Sequence, residues 1–299
     1  MKILLFGASG QVGWELRRSL APLGEVVALS TASPGHAGDF HHLESVTAAV
    51  RDVAPQVIVN AAAYTAVDRA ESEPGQAHAL NAIAPGLLAR EAERLGAWLV
   101  HYSTDYVFDG GGSTPWTEDD EPAPLNVYGR TKLEGEQLIR QHCSRHLILR
   151  TSWVYGMRGG NFIKTMLRLA RERDELRVIS DQIGAPTGAE LIADVTAHAL
   201  VRLAEAPELG GLYHLAAAGH ISWHDYACHV LQHAPTSLGP FKAGPADVVA
   251  VPSSEYVTAA CRPNNSRLDT GRFARAFGLR LPPWQDGVDR LLAELAASA

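Results

Sequence analysis

Hydrophobic residues in the first half of the chain fall into short continuous runs. Five runs rich in aliphatic residues occur at "KILLF" (2–6), "EVVAL" (25–29), "QVIVN" (56–60), "WLVHYS" (98–103) and "HLILRT" (146–151). Amphipathic stretches such as "QVGWELRRSLAPLG" and "GLLAREAERLG" separate them and predict helices. Continuous apolar strands that alternate with helices are typical of a parallel sheet covered on both faces. The pattern therefore predicts an α/β protein with a doubly wound (Rossmann) parallel sheet.

After residue 151 the alternation becomes irregular. Helical patterns occur in "FIKTMLRLARERDEL" and "AELIADVTAHALVRLAEA", strand patterns in "RVISD" and "GLYHLAA", and a last helix begins at about residue 284. Loops with many prolines fill much of the tail. We predict a dinucleotide-binding domain at 1–151 plus 184–217, interleaved with a smaller mixed substrate domain at 152–183 plus 218–299.

Composition narrows the class of protein. The chain has 299 residues, 46% hydrophobic and 20% charged, as in ordinary soluble domains. A net charge of -7 without a Lys/Arg-rich block gives nucleic-acid binding no electrostatic support. No apolar run approaches the roughly 20 residues that cross a bilayer. Three widely spaced cysteines do not indicate a disulfide framework, so we expect a cytoplasmic protein. From the charge and the short apolar runs we expect that it binds neither nucleic acid nor membrane.

A glycine-rich segment follows the first predicted strand. "FGASGQVG" places Gly7, Gly10 and Gly13 at the opening of the first helix, with Gln11 and Val12 between the last two. Glycines at this point permit a tight turn, close approach to a pyrophosphate and close helix–strand packing. The helix N-terminus offers free N–H groups to phosphate. The segment predicts a dinucleotide site.

The end of the second strand bears on which dinucleotide binds. An acid here would bind the ribose 2′-hydroxyl and select NAD, but the chain has Ser30. Nothing at this position repels a 2′-phosphate, which Arg17 or Arg18 can reach from the first helix. We therefore predict NADPH, with NADH as an alternative. Asp39, next to Phe40, is a candidate acceptor for the adenine amino group, although a solvated loop acid fits the sequence equally well.

Tyr128 and Lys132 lie one helical turn apart in "NVYGRTKLEGEQ". A tyrosine pKa lowered from about 10 to about 7 takes roughly 4 kcal/mol. One positive charge about 4 Å away supplies about that much at an effective dielectric near 20. The pair thus predicts a general acid, and Lys132 can also hold the nicotinamide ribose. Thr104, at the end of the fourth strand, is placed to hydrogen-bond a substrate carbonyl.

These motifs, in this order, resemble the extended short-chain dehydrogenase/reductase superfamily. Within it, "LLFGASGQVGWEL", "NAAAYTAVDRAE", "HYSTDYVFDG", "PLNVYGRTKLEGE", "RTSWVYG" and "DQIGAPTGAEL" resemble the dTDP-4-dehydrorhamnose reductase family. The resemblance implies NAD(P)H-dependent reduction of dTDP-4-dehydro-β-L-rhamnose at C4, the last step of dTDP-L-rhamnose synthesis. The related dehydratases need a glutamate after Asp105, where this chain has Tyr106, so reduction fits better than dehydration.

The resemblance also implies roles for individual residues. Tyr128 is the acid, Lys132 its partner and Thr104 the hydroxyl that tunes it. Asp105 and Trp153 fall where the family binds the deoxysugar nucleotide, a dTDP-4-keto-6-deoxy sugar. The positions that line the cofactor are Ala63, Tyr64, Thr65, Tyr102, Tyr128 and Lys132.

Other charged residues have two interpretations each. Arg262 is a candidate for the substrate diphosphate, and a surface ion pair is the alternative. Glu15, Glu190 and Glu294 are on separate predicted helices, where solvated carboxylates are the plain interpretation. Relatives with glutamates at these positions can bind Mg²⁺ with them at a homodimer interface, and oxygen ligands suit that ion.

Four histidines recur at short intervals in and beside one helix: His220, His224, His229 and His233. The segment "SWHD" predicts that Ser222 caps this helix. We interpret the histidines as surface residues of the helix rather than as metal ligands.

Two other functions stay open from the sequence. One is a reductase of another nucleotide-linked 4-keto sugar. The other is a catalytically idle NADP-binding regulatory subunit, which would have no physical need for Thr104, Tyr128 and Lys132.

Overall fold

A six-stranded parallel sheet forms the centre of the computed structural model, which describes residues 1–298. The whole described chain has twelve strands, six of them in this sheet: β1 (Lys2–Phe6), β2 (Glu25–Leu29), β3 (Val57–Asn60), β4 (Trp98–Thr104), β5 (His146–Thr151), β6 (Val154–Tyr155), β7 (Leu176–Ile179), β8 (Ile183–Gly184), β9 (Thr187–Gly188), β10 (Gly211–His214), β11 (Ile221–Ser222) and β12 (Val248–Val251). The central sheet has the order β10-β5-β4-β3-β1-β2. The α/β fold with a doubly wound parallel sheet is confirmed.

Helices cover both faces of this sheet. The α-helices of the described chain are α1 (Gln11–Leu20), α2 (Leu43–Val53), α3 (Val67–Ser72), α4 (Pro74–His78), α5 (Ala84–Leu95), α6 (Val127–His142), α7 (Phe162–Glu172), α8 (Ala189–Glu205), α9 (Trp223–His233), α10 (Gly271–Phe277) and α11 (Trp284–Ala297). The apolar side chains of β1, β3, β4 and β5 alternate between two cores, one against α1 and α8 and one against α2, α5 and α6. Burial on both faces explains why these strands are continuously hydrophobic.

A separate hydrophobic core lies among α7, α9 and α11. It also includes side chains of β7 and β12, which pair in parallel although about 70 residues separate them in the sequence. This region corresponds to the predicted smaller mixed domain. The division of the chain into two domains stays a prediction. One segment of 218–299 packs elsewhere, because Phe273, Phe277 and Leu281 belong to the core of the central sheet.

Strands β4 and β5, which lead into the predicted site residues Thr104 and Trp153, end on the same edge of the sheet. The β4 and β5 strands pair in register from Leu99 to Thr104, so Thr104 lies beside Thr151. Parallel strands present their carboxyl ends together, where open α/β sheets bind ligands. Within the described chain, none of the helices combines the length and apolar character that crossing a bilayer requires.

Candidate active site

The turn between β1 and α1 has the geometry of a phosphate-binding loop. Gly7 has a positive φ of 77°, a conformation that favours glycine. A Cβ on Gly13 would lie 2.0 Å from the Gly7 carbonyl oxygen, so only glycine allows this close packing. Helix α1 begins after Gly10, which provides no side-chain cap, and its first turn contains no acid. The first N–H groups of α1 can therefore donate to an anion.

The three residues after β2 that we predicted to contact the cofactor, Ser30, Asp39 and Phe40, have different surroundings. The Ser30 hydroxyl accepts a hydrogen bond from Ala32, and no carboxylate ends the strand. Asp39 caps a local turn through the backbone N–H of His41. Phe40 is 4% exposed and packs on Phe6 with ring centroids 5.3 Å apart. Its side chain is therefore part of the core, and only its backbone can face a cofactor.

Two arginines that we expected near a 2′-phosphate have other partners. Arg18 donates to Asp194 of α8 at 2.9 Å, and Arg17 lies over the ring of Trp14. At the start of the same helix, Gln11 accepts a hydrogen bond from Asn161, and Val12 packs against the sheet core. The helix therefore presents its N-terminus, rather than these arginines, to the glycine turn.

The loop after β3 is held by an asparagine that the sequence did not single out. Asn81 accepts from the Tyr64 N–H at 2.8 Å and donates to the Tyr64 carbonyl at 3.0 Å. Its amide also lies 3.2 Å from the hydroxyl of Thr131 on α6. Ala63 is half-buried and Thr65 exposed. This loop therefore has a fixed position relative to the helix that carries the predicted catalytic pair.

Tyr128 and Thr104 meet where α6 passes the end of β4. The Thr104 hydroxyl hydrogen-bonds the Tyr128 phenol and lowers its pKa, but burial and the nearby Asp105 raise that pKa to about 12. The ring of Tyr106 packs edge-on against Tyr128, with centroids 5.7 Å apart. Tyr128 therefore keeps its proton at neutral pH. The lowering towards 7 that we predicted is not observed.

Lys132 does not tune the phenol because its amine points to β4. Its Nζ donates to the Tyr102 carbonyl at 2.6 Å and lies 3.2 Å from His101 Nε2. Lys132 is 2% exposed, and this burial lowers its pKa from 10.5 to about 8, although Glu136 opposes the change. Tyr102 offers its carbonyl here, while its hydroxyl bonds Thr196 of α8 on the other face of the sheet.

A directional chain of hydrogen bonds reaches Lys132 from the backbone. The N–H of Ala62 donates to Asn60 Oδ1, which turns the Asn60 amide nitrogen towards His101 Nδ1 at 3.1 Å. Nδ1 of His101 therefore accepts a hydrogen bond from the Asn60 amide. Burial holds the pKa of His101 well below 6.5, so the ring is neutral and its proton is on Nε2, facing Lys132. A donor facing this amine favours its uncharged form, in the same direction as burial.

Asp105 is a buried carboxyl group with one free oxygen. It is 2% exposed, and burial raises its pKa from 3.8 to about 6. The hydroxyls of Ser266 and Thr104 lower this pKa against the effect of burial, and Thr104 donates to Oδ1 at 3.0 Å, whereas Oδ2 has no hydrogen-bond partner within standard distance and angle limits among the described residues. An unpaired buried acceptor beside Thr104 can bind a hydroxyl group of a ligand.

A cavity of about 770 Å³ reaches this group through Tyr106, which packs on Tyr128, whereas Thr104, Asp105, Tyr128 and Lys132 do not line it. Its wall includes Tyr106 and Arg262, as well as Trp223 and Phe162 from the smaller core region. Arg262 makes two hydrogen bonds to Asp68, at 3.1 and 2.6 Å, so it is both ion-paired and on the cavity wall.

Trp153 is not among the residues that line this cavity. It has a positive φ of 47°, and its ring stacks on Trp223 with centroids 3.5 Å apart. Trp223 therefore presents an aromatic surface to the cavity, and the half-buried Trp153 stacks on it.

The three glutamates of the predicted magnesium site come from α1, α8 and α11 into one region. Burial raises the pKa of Glu190, and the charges of Glu15 and Glu294 raise it further. However, Glu15 pairs with Arg18 at 3.5 Å and Glu294 with Arg290 at 2.9 Å. In residues 1–298 their oxygens do not converge as a metal-binding group.

Comparison with known proteins agrees with this geometry. Residues 1–297 match the family described as RmlD substrate binding domain. The dTDP-4-dehydrorhamnose reductase of Shigella flexneri is 57% identical over 295 residues, 99% of this chain and 98% of that protein. The chain belongs to the dTDP-4-dehydrorhamnose reductase family.

Solved structures of family members have the same fold. The enzyme of Clostridium acetobutylicum is 33% identical, with 99% of both chains covered and a TM-score of 0.88. The enzyme of Bacillus anthracis, solved in complex with NADP, is 34% identical over 98% of this chain and 99% of its own, with a TM-score of 0.86.

Several residues of the site carry weak signals in the sequence. His101 and Asn60 are polar residues inside otherwise apolar strands, and an unexplained buried polar residue is such a signal. Tyr106 and Trp223 are aromatic residues in loops or first helical turns, where the sequence does not show which way they point. Only the fold brings them to one cavity.

Proposed function

We propose that the protein reduces the C4 ketone of dTDP-4-dehydro-β-L-rhamnose with NADPH to give dTDP-L-rhamnose. The observation that carries this proposal is the contact between Thr104 and Tyr128 at the carboxyl edge of the sheet, beside a glycine turn suited to pyrophosphate. The family relation supports the substrate, and the NADP-bound relative from Bacillus anthracis supports the cofactor.

The site residues fit a nicotinamide dinucleotide. Gly7, Gly10 and Gly13, with the N–H groups of Gln11 and Val12, would hold the pyrophosphate. Ser30 leaves room for a 2′-phosphate because no carboxylate ends β2. The bound cofactor supplies the hydride. Lys132, whose amine also donates to the Tyr102 carbonyl, would contact the nicotinamide ribose.

Tyr128 supplies the proton of the reaction. Its raised pKa means that the phenol is protonated at neutral pH, which is the form that a general acid needs. As the ketone carbon gains a hydride, its oxygen becomes an alkoxide, which takes the phenolic proton. The Thr104 hydroxyl donates its one proton to Asp105 Oδ1 in the free protein, and turning that proton to the phenolate would stabilise the negative charge that forms there.

The cavity has walls suited to a nucleotide sugar. Trp223 and Phe162 present flat apolar surfaces to a base or sugar, and Arg173 is exposed among the lining residues. Arg262 can contact diphosphate from the cavity wall while it keeps Asp68 as partner. Asp105 Oδ2 would accept a hydrogen bond from a sugar hydroxyl.

The decisive experiment compares wild type with Tyr128→Phe. Wild type should consume NADPH when the keto sugar nucleotide is added, as measured by absorbance of the reduced nicotinamide. The variant should lose at least about 100-fold in kcat, a typical contribution of general acid catalysis, and bind NADPH as before. Normal turnover in Tyr128→Phe would contradict the assignment. Turnover only with other nucleotides or keto sugars would indicate the alternative substrate, and no turnover in wild type would indicate an idle subunit.

Two finer features remain predictions that belong to this proposal. Carboxylates suit Mg²⁺, and Glu15, Glu190 and Glu294 are close enough for their charges to interact. Because their oxygens do not converge within one described chain, a second copy would have to complete the site. Sedimentation of wild type and Glu190→Gln with and without MgCl₂ tests the ion and the homodimer together.

A further inference from the structure

A group of two histidines and one aspartate lies outside the candidate active site. His229 and His233 are one turn apart on α9, and Asp289 faces them from α11. The two imidazole rings stack with centroids 4.1 Å apart. One ligand atom from each of the three side chains lies within 4.8 Å of the other two. Among residues 1–298, no other group of three metal-ligating side chains converges in this way.

The distances suit one small metal ion. His229 Nε2 is 2.7 Å from Asp289 Oδ1, and His233 Nδ1 is 3.9 Å from the same oxygen. An ion bound at 2.0–2.2 Å with tetrahedral geometry separates its ligand atoms by about 3.3 Å. The two observed distances lie on either side of this value, and because the two rings are stacked at 14° to each other, the imidazoles must also rotate so that both nitrogen lone pairs point to the ion.

One side of this group of His229, His233 and Asp289 is packed against the protein, and the other side is exposed to solvent. The ring of His229 packs against Trp284, which is 4% exposed, with centroids 4.7 Å apart. The side chains of His233 and Asp289 are each 43% exposed. A metal can therefore enter from solvent, and water can complete its coordination. The neighbouring Arg290 is paired with Glu294, which engages its positive charge away from the group.

We propose that His229, His233 and Asp289 bind one divalent transition-metal ion of the Zn²⁺ class. Two imidazole nitrogens and one carboxylate oxygen suit Zn²⁺, Co²⁺ or Ni²⁺, whereas Mg²⁺ and Ca²⁺ prefer oxygen ligands. This site is separate in place and ligand type from the predicted glutamate site. It is also independent of the proposed reduction.

The ion would link α9 to α11. Helix α9 begins with Trp223, which lines the large cavity, and α11 begins with Trp284, which packs on His229. A ligand that binds only the folded state stabilises it. Occupancy should therefore raise the melting temperature and hold the two helices of the smaller core together.

Calorimetric titration of the full chain, free of any histidine tag and pretreated with chelator, tests the proposal. We expect ZnCl₂ to bind with one equivalent that His233→Ala removes or weakens at least tenfold. The matched control His220→Ala changes an exposed histidine outside the group and should keep this equivalent. Because His233 is itself exposed, its variant should fold normally, which circular dichroism verifies.

A second measurement checks the ligand geometry. CoCl₂ should give the visible absorption of tetrahedral cobalt in wild type and His220→Ala but not in His233→Ala or Asp289→Asn. ZnCl₂ should raise the melting temperature by a few degrees, and MgCl₂ should leave this group unoccupied. Absence of Zn²⁺ binding, an equivalent that survives in His233→Ala, or equal loss in His220→Ala would each overturn the site.

Discussion

Replacement of Lys132 by methionine should make the fold more stable at neutral pH while it abolishes turnover. Lys132 is 2% exposed, and its pKa falls from 10.5 to about 8 on folding. At 1.36 kcal/mol for each pH unit, this difference corresponds to about 3.4 kcal/mol of unfavourable free energy for the buried ammonium. Methionine keeps most of the apolar stem and removes the charge. The lost hydrogen bond to the Tyr102 carbonyl costs about 1–3 kcal/mol, which leaves a small net gain.

The pH dependence distinguishes this explanation from simple repacking. Below pH 8 both the folded and the unfolded wild type carry the charge, so the folded state bears the full penalty. Between pH 8 and pH 10.5 only the unfolded state keeps the proton, and wild-type stability rises with pH. The advantage of Lys132→Met should therefore shrink by about 3 kcal/mol from pH 7 to pH 10, and end as a disadvantage.

Urea unfolding at pH 7, 8, 9 and 10 measures this effect. The control Lys242→Met removes an exposed lysine, so its stability difference from wild type should stay constant across the series. A constant difference between wild type and Lys132→Met would refute the reasoning, because the buried amine would then not titrate in this range.

Three further substitutions test other parts of the structure. Glu136→Gln leaves the buried Arg150 guanidinium, now held at 2.9 and 2.7 Å, without its counter-charge, and should cost about 3–5 kcal/mol in urea unfolding. Gly13→Ala places a Cβ 2.0 Å from the Gly7 oxygen and should weaken NADPH binding at least tenfold in fluorescence titration. Trp223→Ala should raise KM for the keto sugar nucleotide about tenfold and leave kcat nearly unchanged, because it removes the aromatic cavity wall.

The central sheet could be predicted because its strands carry a strong signal. The five predicted strands agree with the structure to within one residue at each end. The pairing of β7 with β12 could not be predicted, since nothing in either sequence specifies a partner about 70 residues away. Ser222 caps α9 as predicted, through the N–H of Asp225.

Side-chain direction was the main unknown in the candidate site. Spacing placed Tyr128 and Lys132 on one helix, but only packing shows that the Lys132 amine turns to β4. Phe40 faces the core and Trp153 stacks on Trp223, although both positions are next to predicted ligand sites. The histidines of α9 were interpreted as surface residues, and the partner of His229 on α11 became visible only in the fold.

Burial of the Asp105 carboxylate is unfavourable by about as much as burial of the Lys132 ammonium, although the two charges are opposite. Its pKa rises from 3.8 to about 6 because it is buried, and its Oδ2 has no hydrogen-bond partner within standard distance and angle limits among the described residues. Asp105→Asn should therefore stabilise the fold at pH 7 by up to about 3 kcal/mol, at 1.36 kcal/mol for each pH unit. The unfolded acid ionises from pH 3.8 while the folded acid stays neutral until about pH 6, so the gain should vanish as pH falls through this window.

The same substitution should impair recognition of the substrate, because a neutral amide is a weaker acceptor for a sugar hydroxyl than a carboxylate. KM for the keto sugar nucleotide should rise, while NADPH binding stays unchanged. Asp52→Asn, at an exposed position, serves as the control for both measurements. A stable Asp105→Asn protein with unchanged KM would show that the free oxygen does not contact the substrate. Loss of stability at pH 7 would show instead that the buried charge has a partner in solution, and the cost assigned to its burial would then be wrong.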